Sequence, residues 1–213
     1  MDFLYSEIEP YAFGSIKVSK LHTLYWECSG NPNGINVLVI HGGPGSCSDS
    51  LSRRLFNPEK FNIIQYNQRG CGKSMPVGEL KENTTLALVD DIETLRKYLK
   101  INKWHLFGGS WGATLSLIYG INYPHSILTF ILRGVFLGRN SDLRWIYQDG
   151  ASKFFPEEFA SYISVIPEDE RSDLIRSYYL RISSEIDSIR NQAVKAWTLW
   201  ELSCGNLVPS KTA

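Results

Sequence analysis

The sequence predicts an α/β fold in which a mostly parallel sheet with helices is followed by an all-helical segment. Three observations predict it. Short apolar runs rich in β-branched residues, 37–40, 61–66 and 127–135, alternate with stretches of helical periodicity, the signature of parallel strands joined by helices. The stretch Gly108-Gly109-Ser110-Trp111-Gly112 joins one apolar run directly to a helical one. After Gly138 strand patterns cease and only helical ones follow.

Taken in order, residues 15–20 and 22–28 are expected to form two strands of an opening hairpin, because Tyr25, Trp26 and their alternating neighbours suit a half-buried sheet. Asn31-Pro32-Asn33-Gly34 is a turn cluster. Val37-Leu38-Val39-Ile40 is apolar throughout and suits a central strand covered on both faces. It runs into His41-Gly42-Gly43-Pro44-Gly45, a loop whose backbone can approach a ligand closely. Residues 61–66 form the next strand, and 67–74 its loop. The ending Gly72-Lys73-Ser74 imitates a phosphate-binding loop, but the glycine such a loop needs five residues earlier is Asn67, which excludes a nucleotide site.

Asn83 is expected to cap a helix over 84–100, with Leu88, Ile92, Leu95 and Leu99 on one stripe and Asp90, Asp91 and Glu93 on a solvated face. Trp104 begins the strand before Ser110, and a helix from Trp111 to Tyr123 ends near Pro124. The run 127–135 is the sixth strand. These spacings divide the chain into a core of 1–138 and a helical segment of 139–213, expected to act as a lid.

Composition narrows the class of function. The 213 residues carry 22 basic and 22 acidic side chains, so no global field favours nucleic acid or an anionic membrane. The acidic start Met1-Asp2-Phe3 is unlike a signal peptide, and apolar runs fall far short of the ~18 residues of a membrane span. Cys28, Cys47, Cys71 and Cys204 form no C-x-x-C pair and no zinc pattern; free thiols in a reducing cytoplasm are expected.

The chemistry centres on Ser110. A Gly-x-Ser-x-Gly stretch between strand and helix is a nucleophile elbow, a strained turn that lifts the hydroxyl clear of the backbone. The amide of Trp111, at a helix start, faces the attacked carbonyl, and the 41–45 loop occupies the place where lipases and esterases keep an oxyanion-binding loop. His41 is expected to orient that loop and His105 to sit in the core.

Together, His41-Gly42-Gly43-Pro44-Gly45, Asn67-Gln68-Arg69-Gly70-Cys71-Gly72-Lys73-Ser74, Gly108-Gly109-Ser110-Trp111-Gly112 and Trp197-Thr198-Leu199-Trp200-Glu201 resemble the proline iminopeptidases. The resemblance implies an α/β-hydrolase fold with a helical cap and an aminopeptidase acting on peptides with N-terminal proline, without metal or organic cofactor. It implies that Ser110 is the nucleophile and that the amides of Gly43 and Trp111 bind the oxyanion. Glu201, with Trp197 and Trp200 on the same helix face, would receive the substrate's amino group. The tryptophans as plain cap core, with Glu201 solvated, is the competing reading.

Two departures stand out. Asn67 replaces the family's usual Asp, which keeps turn hydrogen bonds and removes a charge. The triad order of this fold is Ser, Asp/Glu, His, yet His125 alone among His22, His41, His105 and His125 follows Ser110, and it comes too early to be the base. The sequence therefore resembles a shortened proline iminopeptidase lacking the last core strands, the triad Asp and the His, and expected to be inactive alone. Another serine hydrolase, such as an esterase, or a non-catalytic remnant are the alternatives. Oligomeric state is not legible.

Overall fold

The computed structural model describes residues 4–205, which fall into two compact units, Met1–Leu137 and Gly138–Ala213. The first unit is built on a six-stranded sheet of β1 (Pro10–Lys17), β2 (Thr23–Gly30), β3 (Ile35–Ile40), β4 (Phe61–Tyr66), β5 (Trp104–Gly109) and β6 (Ile127–Arg133). The strand order is β1-β2-β4-β3-β5-β6. β1 pairs antiparallel with β2 and β2 with β4, whereas β3 runs parallel to both β4 and β5, and β5 to β6. The fold is thus α/β with a mixed, mostly parallel sheet.

Side chains alternate between the faces of a strand, so each apolar run supplies two cores. Leu38, Ile40, Ile64, Tyr66 and Leu106 pack on one face with α2 (Thr85–Tyr98) and α3 (Trp111–Asn122), through Leu88, Ile92, Leu95, Leu115 and Tyr119. Val37, Val39 and Ile63 pack on the other with Phe56, just after the short α1 (Ser50–Arg53).

Several expectations change. β1 starts at Pro10 and ends before Ser19, because Ser19 Oγ accepts the Leu21 and His22 amides at 3.1 and 3.0 Å and closes a turn where strand was expected. Thr84, not Asn83, caps α2, accepting the Ala87 amide at 3.3 Å; Asn83 instead donates to the Arg69 and Glu79 carbonyls.

The acids of α2 are not one solvated face. Asp90 is exposed, but Asp91 is buried against Arg69, with Nε–Oδ2 and Nη2–Oδ1 both 2.7 Å. Glu93 is buried too, gripped by Arg96 at 2.7 and 2.9 Å and by the Tyr119 hydroxyl at 2.8 Å. Nor is His105 core: it is half-buried, with Nδ1 2.7 Å from Thr129 Oγ1 on the neighbouring strand.

Among the described residues β6 is an outermost strand of the sheet, and Leu128, Phe130 and Ile131 on it are exposed. An apolar strand with one unpaired side is the structural hazard of such an edge.

The second unit contains α4 (Asn140–Tyr147), α5 (Pro156–Ser164), α6 (Leu174–Ile182) and α7 (Asp187–Cys204), with short 3-10 turns between them. Its core is aromatic. Tyr162 stacks on Tyr178 at 4.5 Å between centroids, Trp200 lies 5.4 Å beyond Tyr162, and the Tyr178 hydroxyl donates to the Tyr162 carbonyl at 2.6 Å. Among the described residues no helix is long and apolar enough to cross a membrane. The expected end at Val208–Ala213 lies outside the described residues.

Candidate active site

Ser110 sits at the turn from β5 into α3 with φ 55° and ψ −121°, a conformation that side-chain-bearing residues rarely adopt. The turn is held by its own backbone: the Ser110 amide donates to the Arg133 carbonyl at 3.1 Å, and the Ser110 carbonyl accepts the Ala113 amide at 2.9 Å. A Cβ at Gly108 would meet the Gly112 carbonyl, and one at Gly112 would meet the Ile40 carbonyl. Both glycines are therefore steric requirements of a turn this tight, and they leave the serine side chain exposed. A non-glycine residue kept at positive φ is strain that the surrounding structure must hold in place.

The 41–45 loop lies against this turn. A Cβ on Gly42 would stand 3.1 Å from the Gly109 carbonyl and 3.5 Å from Ser110 Cβ. Gly43 has φ 117°, and a Cβ there would come within 2.7 Å of the Ser46 amide. Trp111 opens α3, and the first amides of a helix have no intrahelical partner.

Gln68, which sequence reasoning gave no role of its own, ties the two segments together. Its amide donates to His41 Nε2 at 3.0 Å, its Nε2 donates to the His41 carbonyl at 2.8 Å, and its Oε1 accepts from Trp111 Nε1 at 3.1 Å. Because His41 Nε2 accepts a backbone N–H, the ring proton sits on Nδ1, which donates to the Gly42 carbonyl at 2.9 Å. Burial pushes the His41 pKa below its ordinary value, so the ring is neutral and spans the loop as a brace.

The 67–74 loop is anchored in turn. Asn67 is buried, its Oδ1 accepts the Lys73 amide at 2.9 Å, and its Nδ2 donates to Ser48 Oγ at 2.7 Å. A carboxylate at 67 could not make the second donation, so the neutral residue suits this turn. Arg69 carries the buried pair with Asp91 and donates as well to the Glu82 carbonyl.

Beside Ser110 opens a cavity of about 180 Å³, lined mainly by polar groups that include Cys47, Asp49, Gln65 and Arg133. The Arg133 guanidinium lies over the elbow, since a Cβ on Gly109 would fall 2.8 Å from its Cζ. Its signal in the sequence was only a cation at the end of an apolar strand. His125 is exposed on the turn after α3.

Within the helical unit, Glu201 is exposed on α7 and accepts the Tyr147 hydroxyl at 2.6 Å. Tyr147 also stacks on the half-buried Trp197, with centroids 4.3 Å apart and planes at 19°. Burial first, and then Glu201, raises the phenol pKa, so the proton stays on Tyr147. Trp200 differs from its neighbour. It is 1% exposed, donates Nε1 to the Ile146 carbonyl at 3.1 Å and packs among Phe155, Phe159 and Tyr162. The shared face inferred from i, i+3, i+4 spacing thus straddles the boundary of the core, with Trp200 inside and Glu201 outside. Tyr147 was missed because its partners lie 50 and 54 positions away, beyond any local pattern.

Comparison with known proteins bears on this arrangement. Residues 35–199 match the family described as alpha/beta hydrolase fold. The chain is 50% identical over 205 residues to the "Probable proline iminopeptidase" of Leptolyngbya boryana, covering 96% of this chain and 64% of that protein. It is 46% identical over 208 residues to the proline iminopeptidase of Arabidopsis thaliana, covering 97% and 55% respectively. The chain therefore spans between 55% and 64% of the length of these relatives. A solved structure of a Mycobacterium smegmatis proline iminopeptidase aligns with TM-score 0.56 at 18% identity, over 89% of this chain and 67% of that one, a likeness of fold alone. The chain belongs to the alpha/beta hydrolase fold family, and within it is homologous to the proline iminopeptidases.

Proposed function

We propose that the chemistry this chain is built for is a serine aminopeptidase reaction that releases N-terminal proline from peptides through a prolyl-enzyme. The observation that carries the reading is Ser110 at φ 55° between two obligatory glycines, with the Gly42 backbone packed against it. Strain of this kind serves no packing purpose; it presents a hydroxyl. Ser110 Oγ attacks the prolyl carbonyl, and the tetrahedral oxyanion rests on the amides of Gly43 and Trp111. The C–N bond breaks and the amine departs with the proton that Ser110 Oγ gives up; water then cleaves the prolyl ester, restoring the Oγ proton and releasing proline. Glu201 takes the substrate's terminal ammonium; the Tyr147 hydroxyl holds one of its oxygens, leaving the other for a charge-assisted bond. Trp197 fixes Tyr147, while Trp200 supports α7 from within the core.

Among the described residues no histidine serves as general base for Ser110: His41 is committed to its loop, His22 to the Lys81 carbonyl and His105 to Thr129 Oγ1, and His125 lies on a separate exposed turn. Loss of the triad base costs about 10⁶ in kcat in the subtilisin example. From a typical value near 10 s⁻¹, about 10⁻⁵ s⁻¹ remains for this polypeptide alone. Prolyl-arylamide hydrolysis by the 213-residue chain, with Ser110→Ala as control, tests this. Serine-dependent turnover at ordinary enzyme rates would show that a base is present after all.

A further inference from the structure

The cavity beside Ser110 is lined in part by a buried polar residue that the mechanism above does not use, Gln65. Gln65 on β4 is 0% exposed, and its Nε2 donates to the Asp49 carbonyl at 3.0 Å. A carbonyl can only accept, so the Asp49 contact fixes which end of the amide is the nitrogen. Oε1 is the other end, and it has no hydrogen-bond partner among the described residues. Gln65 lines the same cavity as Ser110 and Arg133. A buried acceptor without a donor is unfavourable, so the position calls for an N–H or O–H from whatever enters.

The remaining lining defines that donor further. The cavity carries one carboxylate, Asp49, and one guanidinium, Arg133. Asp49 is already engaged, accepting the Ser52 amide at 2.7 Å and its hydroxyl at 3.1 Å. Opposite charges of equal number favour a neutral occupant over an ammonium or a carboxylate. About 180 Å³ is well below the ~300 Å³ at which drug-sized pockets begin. The occupant is a small neutral group with at least one donor and one acceptor, which describes a peptide unit.

We propose that this cavity is the leaving-group subsite of Ser110, with Gln65 Oε1 accepting an amide N–H from the residues that follow the scissile bond. Arg133 and the cavity serines face the accompanying carbonyl. This assignment rests on the serine-hydrolase reading of Ser110 and adds a specificity determinant to it: substrates whose leaving side offers a backbone N–H are preferred over those that do not.

The test needs no turnover, so it is independent of whether this polypeptide carries a base. The 15N-labelled chain is titrated with N-methylacetamide, which has an N–H, and with N,N-dimethylacetamide, which has none. The expected result is a saturable shift of the Gln65 side-chain amide and of the Gly109 and Ser110 backbone amides with the first amide, at least tenfold weaker with the second. Gln65→Met should abolish the preference, whereas Ser110→Ala should keep it. Equal response to both amides, no saturable response to either, or an unchanged preference in Gln65→Met would each overturn the proposal. If Gln65→Met does not fold, the two-amide comparison on the unaltered chain still decides. Prolyl-arylamide hydrolysis that persists in Ser110→Ala, together with an intact preference, would overturn the serine mechanism while leaving an amide site.

Discussion

Removing the Asp91 carboxylate should destabilise the protein more than any other single change on α2. The two hydrogen bonds to Arg69 are both 2.7 Å, and the side chains are 7% and 2% exposed. In Asp91→Ala the guanidinium loses both Nε and Nη2 partners and retains its bond to the Glu82 carbonyl. It also stays shut away from water. Breaking one side of a buried pair costs about 3–5 kcal/mol, because the surviving charge is left without compensation. At about 2–4 °C per kcal/mol for a chain of this size, the melting temperature should fall by roughly 6–20 °C. Arg69→Met with Asp91→Leu removes both charges and should recover most of that loss, since well-packed apolar replacements of buried pairs are often neutral. Because Arg69 follows Gln68, the single variant should also loosen the brace on His41 and Trp111, read as a change in tryptophan fluorescence before the main transition. Urea titration of the three proteins provides the assay. The reasoning is refuted if Asp91→Ala costs less than about 1 kcal/mol, the range of an exposed pair, or if the double variant is no better than the single one.

Other outcomes follow from the same physics. Glu93 has its pKa held down to about 2, first by hydrogen bonds from Arg96 and also by Tyr119. A depressed carboxylate stabilises fully above its unfolded pKa, so about 3 kcal/mol should be lost as pH falls from roughly 4.5 toward 2, and melting curves of Glu93→Gln should lack that dependence. Ser110→Gly relieves backbone strain at φ 55° and should raise stability by about 1–2 kcal/mol in urea, whereas Ser110→Ala, with the same Cβ, should not. Gly112→Ala drives a Cβ into the Ile40 carbonyl and should cost about 3 kcal/mol, measured the same way. The exposed Leu128, Phe130 and Ile131 on edge strand β6 should cause concentration-dependent self-association in sedimentation velocity, suppressed by Phe130→Lys.

The parts of this protein that were legible from sequence are those whose cause is local. Phe61–Tyr66 is a strand with the bounds its apolar run implies, and Trp104–Gly109 leads into α3 as the elbow pattern requires, because Gly108 and Gly112 answer to atoms within a turn or on the adjoining strand. The α2 acids show a second kind of legibility, present but overlooked. Asp91 is three residues after Leu88 and four before Leu95, and Glu93 is four after Val89, so both fall on buried positions of the same stripe. A carboxylate there has to have a buried partner; helical spacing points Glu93 to Arg96 three residues on, but no periodicity names the distant ones. Asp91 finds Arg69 22 positions away, and Glu93 finds Tyr119 26 positions away.

The candidate site divides along the same line. Ser110 and its glycines declare themselves, whereas Gln68, Gln65 and Tyr147 are ordinary residues whose roles come from partners distant in the chain. Gln65 is the sharpest instance. On sequence it is one of two polar residues, with Asn62, in an otherwise apolar strand, a position where burial without pairing is unfavourable. Only the Asp49 carbonyl, which takes its nitrogen, determines that the oxygen is the end left without a partner among the described residues. A polar residue that interrupts a buried strand beside a nucleophile is therefore a specific place to look for substrate contacts, since a core without such a contact would favour an apolar side chain at that position.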